Sequence, residues 1–362
     1  MQSYNCDVII AGAGPAGLAA ALTFSALGIS YCLIDANKSA NYKAGDALPP
    51  NSKPLLKQLG LLDLLQDEVH IPYYGNQSIW GSNQIHQEEF ISNLHGHGYL
   101  IDRIKFENQL RSLIQKKQNP FFEGFKIKQI ECDKNVALEV QSHSEKINIS
   151  SSYIIDATGR KASVFRQLGI QKKELDQQMA ISFWHQLKTP IPRQIWIEAT
   201  KNGWWYLSPT STSKVNCMFF TLNEIIPSKK DLAHFLAKEI DQTVQFKNLI
   251  KPSIQELKSH KIMPCGSSYL EKPYYKKCLA IGDAAFSYDP ISSYGITSAM
   301  ATGFYGAQAV ASHLANEKEA FMAYHYIIEN SSKVYLKNLA HQYQAEQRWS
   351  SSYFWKNRLK HI

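Results

Sequence analysis

The sequence predicts an α/β fold in which a mostly parallel sheet is interrupted by an antiparallel one and followed by C-terminal helices. Three observations carry that reading. At the N-terminus, CDVIIAGAGPAGLAAALTFSALG joins an apolar strand-like run to a helix-like run through a glycine-rich turn. Far down the chain, SYIIDATG and CLAIGD end apolar runs on a similar Asp/Gly pattern. Between them, residues 177–221 alternate apolar and polar positions and are rich in aromatics, as half-buried strands are. At 362 residues the chain is longer than one hydrophobic core usually serves, so two domains are expected.

Taken in order, Cys6 to Ala11 read as a buried strand. Leu18, Leu22 and Ala26 keep helical spacing, and Gly28 suits the helix C-cap. SYCLID, residues 30–35, completes a βαβ unit. A proline-containing loop, KAGDALPPNSKP, precedes two short helical segments between Leu55 and Leu65. Residues 76–100 look turn-rich and strand-like, Phe106 to Ile114 helical, and residues 125–156 a series of short strands. MAISFWHQL, IWIEA, GWWYLSP and VNCMFF predict an antiparallel sheet. A helix near Leu232 to Ile240, a strand near Ile254 to Met263 and a helical tail from Ile296 to near Trp355 follow. The expected division is a discontinuous nucleotide-type domain (1–75, 100–170 and 270–315), an inserted sheet domain (76–99 and 171–269) and a C-terminal helical segment (316–362).

Composition excludes several function classes. Apolar residues at 44% and charged residues at 19% mark a globular chain, not a disordered one. The net charge of +8 comes from scattered lysines with short clusters at Lys172-Lys173, Lys229-Lys230 and Lys276-Lys277. A nucleic-acid binder needs a concentrated stripe, so no nucleic-acid partner is expected. A solvated surface, or a basic face for an acidic partner protein, fits better. No cysteine pair has metal or redox spacing, and Cys6 and Cys32 fall in apolar strand-like runs, which predicts a reducing cytoplasm and no bound metal. No apolar run reaches the ~18 residues that span a bilayer. The N-terminus enters a strand without a signal-peptide pattern.

GAGPAG places Gly12, Gly14 and Gly17 in a Rossmann-like fingerprint, with Pro15 and Ala16 opening the helix. The first glycine permits the tight turn, the second lets a pyrophosphate approach the backbone, and the third lets helix and strand pack closely. Asp35, with Ala36 beside it, ends the next strand in position to accept ribose hydrogen bonds. These residues do not separate NAD from FAD. The later segments do. Asp156 and Gly159 of DATGR end a second strand, and Gly282 and Asp283 of IGDA end a third, placing Asp283 for a ribityl hydroxyl or a pyrophosphate-linked water. The helix opening at Ser293, Gly295 and Ile296 aims N–H groups at the pyrimidine side of an isoalloxazine, which is anionic near N1 and O2 when reduced. Before it, Pro290 fixes the loop backbone and Asp289 caps the turn. FAD is the expected cofactor.

These motifs, with IDRIKFENQL between them, resemble in type and order the FAD-dependent monooxygenases of the aromatic hydroxylase type, the class A or GR2-type fold. They look still more like the flavin-dependent halogenase branch of that superfamily. That branch carries a G-[DE]-x-L-P-P stretch, here Gly45-Asp46-Ala47-Leu48-Pro49-Pro50, and a G-W-x-W-x-I-P motif. The second motif departs here: Gly203-Trp204-Trp205-Tyr206-Leu207-Ser208-Pro209 has Tyr206 for the second tryptophan and Ser208 for the isoleucine. The resemblance runs over residues 5–315 and implies that Arg103 contacts FAD. It also implies a lysine that captures hypohalous acid, but that position falls at Tyr73 and no lysine lies within 58–104. A phenol does not replace an ammonium in that role, so halogenation is disfavoured.

What remains is oxygen transfer or another redox role. In the hydroxylases that this chain resembles, reduced FAD and O₂ give a C4a-hydroperoxide that must be kept dry. Trp80, Trp204 and Trp205, with Tyr206, are candidate walls of such a site, against the alternative that they pack the sheet. Asp46 is a candidate general base toward an indole N–H or a phenol, against the alternative of a turn residue bonded to its own backbone. The short length, DPISSYGI, GNQSIWG and GWWY are similar to the flavoproteins that mature tryptophylquinone enzymes, the partners of lysine oxidases, glycine oxidases and quinohemoprotein amine dehydrogenases. That resemblance implies hydroxylation of a tryptophan in a precursor protein during cysteine tryptophylquinone biosynthesis. Without the long C-terminal extension of tryptophan halogenases, an open substrate mouth is expected, and the basic charge would help dock a protein. The alternatives are a hydroxylase of a small or carrier-bound aromatic metabolite, an isoprenoid-reductase-like flavoprotein, and a flavin-bearing protein with a structural maturation role. No second glycine fingerprint marks an NADPH site, so either NAD(P)H or a separate flavin reductase supplies the electrons.

Overall fold

The protein is described by a computed structural model covering residues 2–43 and 45–360. Its N-terminal part runs β1 (Gln2–Ala11), α1 (Pro15–Leu27), β2 (Tyr31–Asp35), β3 (Ala47–Leu48), α2 (Lys53–Gln58), β4 (Ile71–Tyr73), β5 (Gly75–Ile79), β6 (His86–Glu89), β7 (Gly98–Leu100) and α3 (Arg103–Gln115). The middle continues with β8 (Phe121–Glu123), β9 (Lys126–Cys132), β10 (Val136–Gln141), β11 (Lys146–Asp156), α4 (Ser163–Gln167), β12 (Lys173–Glu174), β13 (Gln178–Gln186), β14 (Ile195–Thr200), β15 (Gly203–Pro209) and β16 (Lys214–Leu222). Then come α5 (Leu232–Asp241), α6 (Phe246–Leu249), α7 (Ile254–Lys258), β17 (Lys261–Pro264), β18 (Ser268–Tyr269), β19 (Tyr274–Tyr275), β20 (Cys278–Ala280) and β21 (Phe286–Ser287). The chain ends in α8 (Gly295–Leu314), α9 (Ala320–Gln344) and α10 (Tyr353–Arg358).

The first sheet has the order β19-β20-β11-β1-β2-β8, with β10 and β9 as a hairpin on β11. Pairings β20·β11, β11·β1, β1·β2 and β2·β8 are parallel. Val8 to Ala11 are buried because helices cover both faces of a parallel sheet, so the run must be apolar throughout. Pro15 opens α1, where a missing N–H costs nothing, and Gly28 closes it in the left-handed region. α8 crosses α1 at backbone contact: a Cβ on Gly303 would sit 2.2 Å from the Ala16 carbonyl oxygen.

The second sheet has the order β17-β13-β16-β15-β14-β5-β6. It is antiparallel as expected except for β14·β5, which is parallel. The two-residue period puts Trp204, Tyr206, Met218 and Phe220 on one face. Trp205, Leu207, Cys217 and Phe219 lie on the other, where Leu236 of α5, Phe246 of α6 and Leu257 of α7 cover them.

One expectation needs correction. Residues 254–258 are helix, not strand: Ser253 and Glu256 form a capping box, and the strand starts only at Lys261. The helical tail is made of α8, α9 and α10. Tyr343, Phe354 and Trp355 from α9 and α10 pack on the Trp204 face of the second sheet. They cover that apolar sheet face. Among the described residues, no helix is long and apolar enough to cross a membrane.

Candidate flavin site

A cavity of about 900 Å³ lies at the carboxyl ends of the parallel strands and reaches the Tyr206 face of the second sheet. This is where open α/β sheets bind ligands.

At one end is the glycine turn. Gly12 has φ +111°, and a Cβ there would fall 2.3 Å from the Ala157 carbonyl oxygen. A Cβ on Gly17 would lie 1.8 Å from the Gly12 carbonyl oxygen. Gly14 has no such neighbour, and no side chain caps the α1 N-terminus, so the helix presents unpaired N–H groups to the cavity. Gly12, Gly14, Pro15 and Ala16 line it. Gly17 does not; its part is close packing within the turn.

Asp35 and Ala36 line the same end. Asp35 Oδ2 accepts from the Ala13 N–H at 2.6 Å and pairs with Arg111 at 3.1 Å. Arg111, two turns beyond Arg103 on α3, also holds Glu123 at 2.6 Å. The sequence reading missed it, although its helical spacing from Arg103 was visible in IDRIKFENQLR. Arg103 lines the cavity, donates to the Gly45 carbonyl at 3.1 Å and pairs with the buried Glu107 at 2.5 Å. Lys43 also pairs with Glu107, at 2.7 Å.

Asp156 is the clearest correction. It is wholly buried and does not line the cavity. Its Oδ1 accepts from Thr158 N–H and hydroxyl, and its Oδ2 from the Val164 and Phe165 N–H groups. It holds the turn into α4. Burial pushes its carboxyl up, against the pull of those donors. Gly159 does line the cavity, as do Thr158 and Arg160.

Arg160 is a second residue that the sequence reading passed over, though it stands in DATGR. Its guanidinium donates to the Gly266 and Tyr288 carbonyls and lies 3.4 Å from Asp283. Asp283 lines the cavity; Gly282 does not, but admits the Ala16 methyl, 2.7 Å from where its Cβ would be. Lys172 donates to the Asp283 carbonyl at 2.5 Å and to Ser287 Oγ at 2.8 Å. Burial pushes its ammonium down to about 8, with Asp283 pulling the other way.

At the other end, Pro290, Ser293, Gly295 and Ile296 line the cavity as expected. Asp289 caps the turn through the Ile291 N–H at 2.8 Å. Ser293, at φ +53°, turns the chain into α8, whose N-terminus carries no side-chain cap. Two bare helix N-termini therefore face one cavity. That arrangement fits FAD, with α1 toward the pyrophosphate and α8 toward the isoalloxazine.

Asp46 lines the cavity near the sheet and is buried. Its carboxylate is not folded onto its own turn. Oδ1 accepts from the Tyr206 hydroxyl at 2.9 Å; Oδ2 accepts from Ser208 at 2.6 Å and from the Asn216 amide at 3.3 Å. Tyr206 and Ser208 are the two departures from the tryptophan motif, and both serve Asp46. Burial, then the Asp46 charge, pushes the Tyr206 phenol well up.

The tryptophans are elsewhere. Trp80, Trp204 and Trp205 do not line the cavity. Trp80 packs edge-on to Trp204, Tyr343 and Trp355 and donates to the Gln342 carbonyl. Trp204 donates to the Tyr343 hydroxyl at 3.2 Å. Trp205 points to the opposite face of the sheet, because adjacent strand residues alternate. All three are packing residues. Among the described residues no cluster of side chains is arranged to hold a metal.

The sequence pattern of a family described as an FAD binding domain matches residues 5–329. The putative FAD-dependent oxidoreductase LodB of Marinomonas mediterranea is 26% identical over 367 residues, 99% of this chain and 97% of LodB. The flavin-dependent halogenase CmlS superposes with a TM-score of 0.87 at 21% identity, over 98% of this chain and 67% of CmlS. QhpG, a peptidyl tryptophan dihydroxylase essential for tryptophylquinone cofactor biogenesis, superposes with a TM-score of 0.77 at 18% identity, over 98% of this chain and 78% of QhpG. The fold is shared with both structures. With the glycine turn, two bare helix ends and the family match in agreement, the chain belongs to the FAD-binding-domain family of flavin-dependent oxidoreductases.

Proposed function

We propose that this protein is an FAD-dependent monooxygenase that hydroxylates a tryptophan side chain of a partner precursor protein during tryptophylquinone cofactor biogenesis. The observation that carries the reading is the side chain at position 73. Where the resembling halogenases place their lysine, Tyr73 is buried and stacks edge-on to Phe90 at 5.4 Å. A phenol at that position offers no ammonium to capture a hypohalous acid. The likeness to QhpG over 98% of this chain supports the tryptophan reading, and that to LodB supports an FAD-dependent oxidoreductase.

Bound reduced FAD supplies the activation of O₂. The chain's own residues supply position and shelter. The α1 N-terminus and Asp35 would hold the dinucleotide end, and the α8 N-terminus would stabilise negative charge on the reduced flavin ring. Tyr206, Met218 and Phe220 close the sheet end of the cavity with mostly apolar surface, which keeps water from the reacting atoms.

The test is the intact mass of a candidate quinone-oxidase precursor expressed with and without this protein. A gain of one or two oxygens on a tryptophan supports the proposal. An unmodified precursor beside a fully FAD-loaded, reducible partner overturns it.

A further inference from the structure

Asp46 has an acceptor position to spare. A carboxylate offers about four lone-pair positions. Among the described residues three donors reach it, two on Oδ2 and one on Oδ1. The remaining position is on Oδ1, in a residue that lines the cavity beside Tyr206, Met218 and Phe220. No ion pair with Asp46 is found among the described residues, while Lys43 and Arg103 are engaged with Glu107. A buried carboxylate held by hydroxyls and an amide keeps an acceptor strength that a cation partner would have reduced. Beside an aromatic and apolar wall, it fits an aromatic ligand that carries an N–H or O–H.

We propose that Asp46 is the general base of the oxygen-transfer step, with Tyr206, Ser208 and Asn216 as the residues that position it. The inference rests on the monooxygenase reading above. Asp46 accepts the hydrogen bond of the substrate indole N–H, which strengthens as attack places positive charge on the ring. One oxygen of O₂ forms the new ring C–O bond, the other leaves as water, and reduced FAD supplies the two electrons. Asp46 takes the N–H proton as the C–O bond forms and returns it to the nitrogen as the ring C–H bond breaks and that proton is lost to solvent. In a second round the new phenol gives its O–H proton to Asp46, and the phenolate directs the next oxygen.

The other ionisable groups that face Asp46 are neutral or paired elsewhere. Burial first, with the Asp46 charge adding, raises the phenols of Tyr42, Tyr73 and Tyr206. They stay protonated, and Tyr206 donates to Asp46. Lys43, Arg103 and Glu107 form their own ion cluster. Of the other carboxylates at the cavity, Asp35 pairs with Arg111, Asp283 with Arg160 and Asp289 with Arg358.

Binding of 3-methylindole and 1-methylindole to the FAD-loaded protein, read as a shift of the flavin absorbance, tests the acceptor. The two ligands have the same size and differ in the N–H. The proposal expects about tenfold tighter binding of 3-methylindole, the worth of one hydrogen bond to a charged acceptor. It expects Asp46→Asn to lose most of that preference. Equal binding of the two ligands, no binding of either, or an undiminished preference in Asp46→Asn overturns it. Catalysis is read separately on the precursor protein. With FAD still bound, Asp46→Asn loses about a hundredfold or more in oxygen insertion, and Asp46→Glu restores part of it. An unmodified precursor with wild-type protein sinks the monooxygenase reading but leaves the indole comparison to judge the acceptor.

Discussion

Arg358 and Asp289 form an ion pair in which both side chains are wholly buried. It ties α10, at the end of the chain, to the loop that walls the flavin cavity. Arg358 also holds Asp176 at 2.7 Å and lies 4.5 Å over the Tyr343 ring, while the Tyr343 hydroxyl donates to Asp289 at 3.1 Å. The C-terminal helices are thus part of the cavity's frame.

Removing Arg358 should therefore cost more than a surface charge would. Arg358→Met leaves two buried carboxylates without their cation and should lower stability by about 3–5 kcal/mol. FAD content should fall with it, because Asp289 and Pro290 line the cavity. Thermal unfolding and the flavin-to-protein absorbance ratio check both. An unchanged melting temperature would contradict the network.

Two glycines separate folding from cofactor binding. Gly17→Ala has no room, with a Cβ only 1.8 Å from a carbonyl oxygen, and should weaken both stability and FAD retention. Gly295→Ala meets no atom within 4 Å, so apo stability should hold or rise slightly. Its FAD affinity should fall if the α8 N-terminus must stay bare. Fluorescence titration of the apoprotein with FAD distinguishes the two.

Trp205 tests the facing of the second sheet. It is buried against Phe183, Phe219 and Phe246, away from the cavity. Trp205→Ala should cost about 3–5 kcal/mol, while the protein that folds keeps its visible flavin spectrum. A changed spectrum at full stability would place Trp205 at the flavin after all.

Acid should loosen the Arg103 anchor. Burial would raise the Glu107 carboxyl, but Arg103 and Lys43 outweigh it and hold it below the usual 4.5. Its folded value lies below its unfolded one, so its contribution is present above pH ~4.5 and is lost as pH falls through the folded value. Glu107→Gln should flatten that part of the stability curve and cost about 1–3 kcal/mol near neutrality. Urea midpoints across pH 3 to 7 measure it.

Much of the nucleotide end was legible because its signals are local. The glycine turn, the Asp at the end of β2 and the Gly-Ile start of α8 each follow from backbone needs that a short stretch reveals. The strand expected at Ile254 failed for an equally local reason: the Ser253–Glu256 capping box was overlooked. The role of Asp156 was misread because two carboxylates at strand ends look alike in sequence. Only the turn into α4 shows which one spends its oxygens on backbone N–H groups.

By itself, the sequence determined the βαβ start, the order of the flavin motifs and the absence of a lysine near Tyr73. Periodicity and composition express these directly. The tertiary structure alone decided which aromatics face the cavity and which face the tail, since the two-residue strand period needs an observed sheet to say which side is which. It alone brought Asp46 onto Tyr206, Ser208 and Asn216, and Arg358 onto Asp289. Those contacts join residues 69 to 170 positions apart, and no local pattern encodes a partner at that distance.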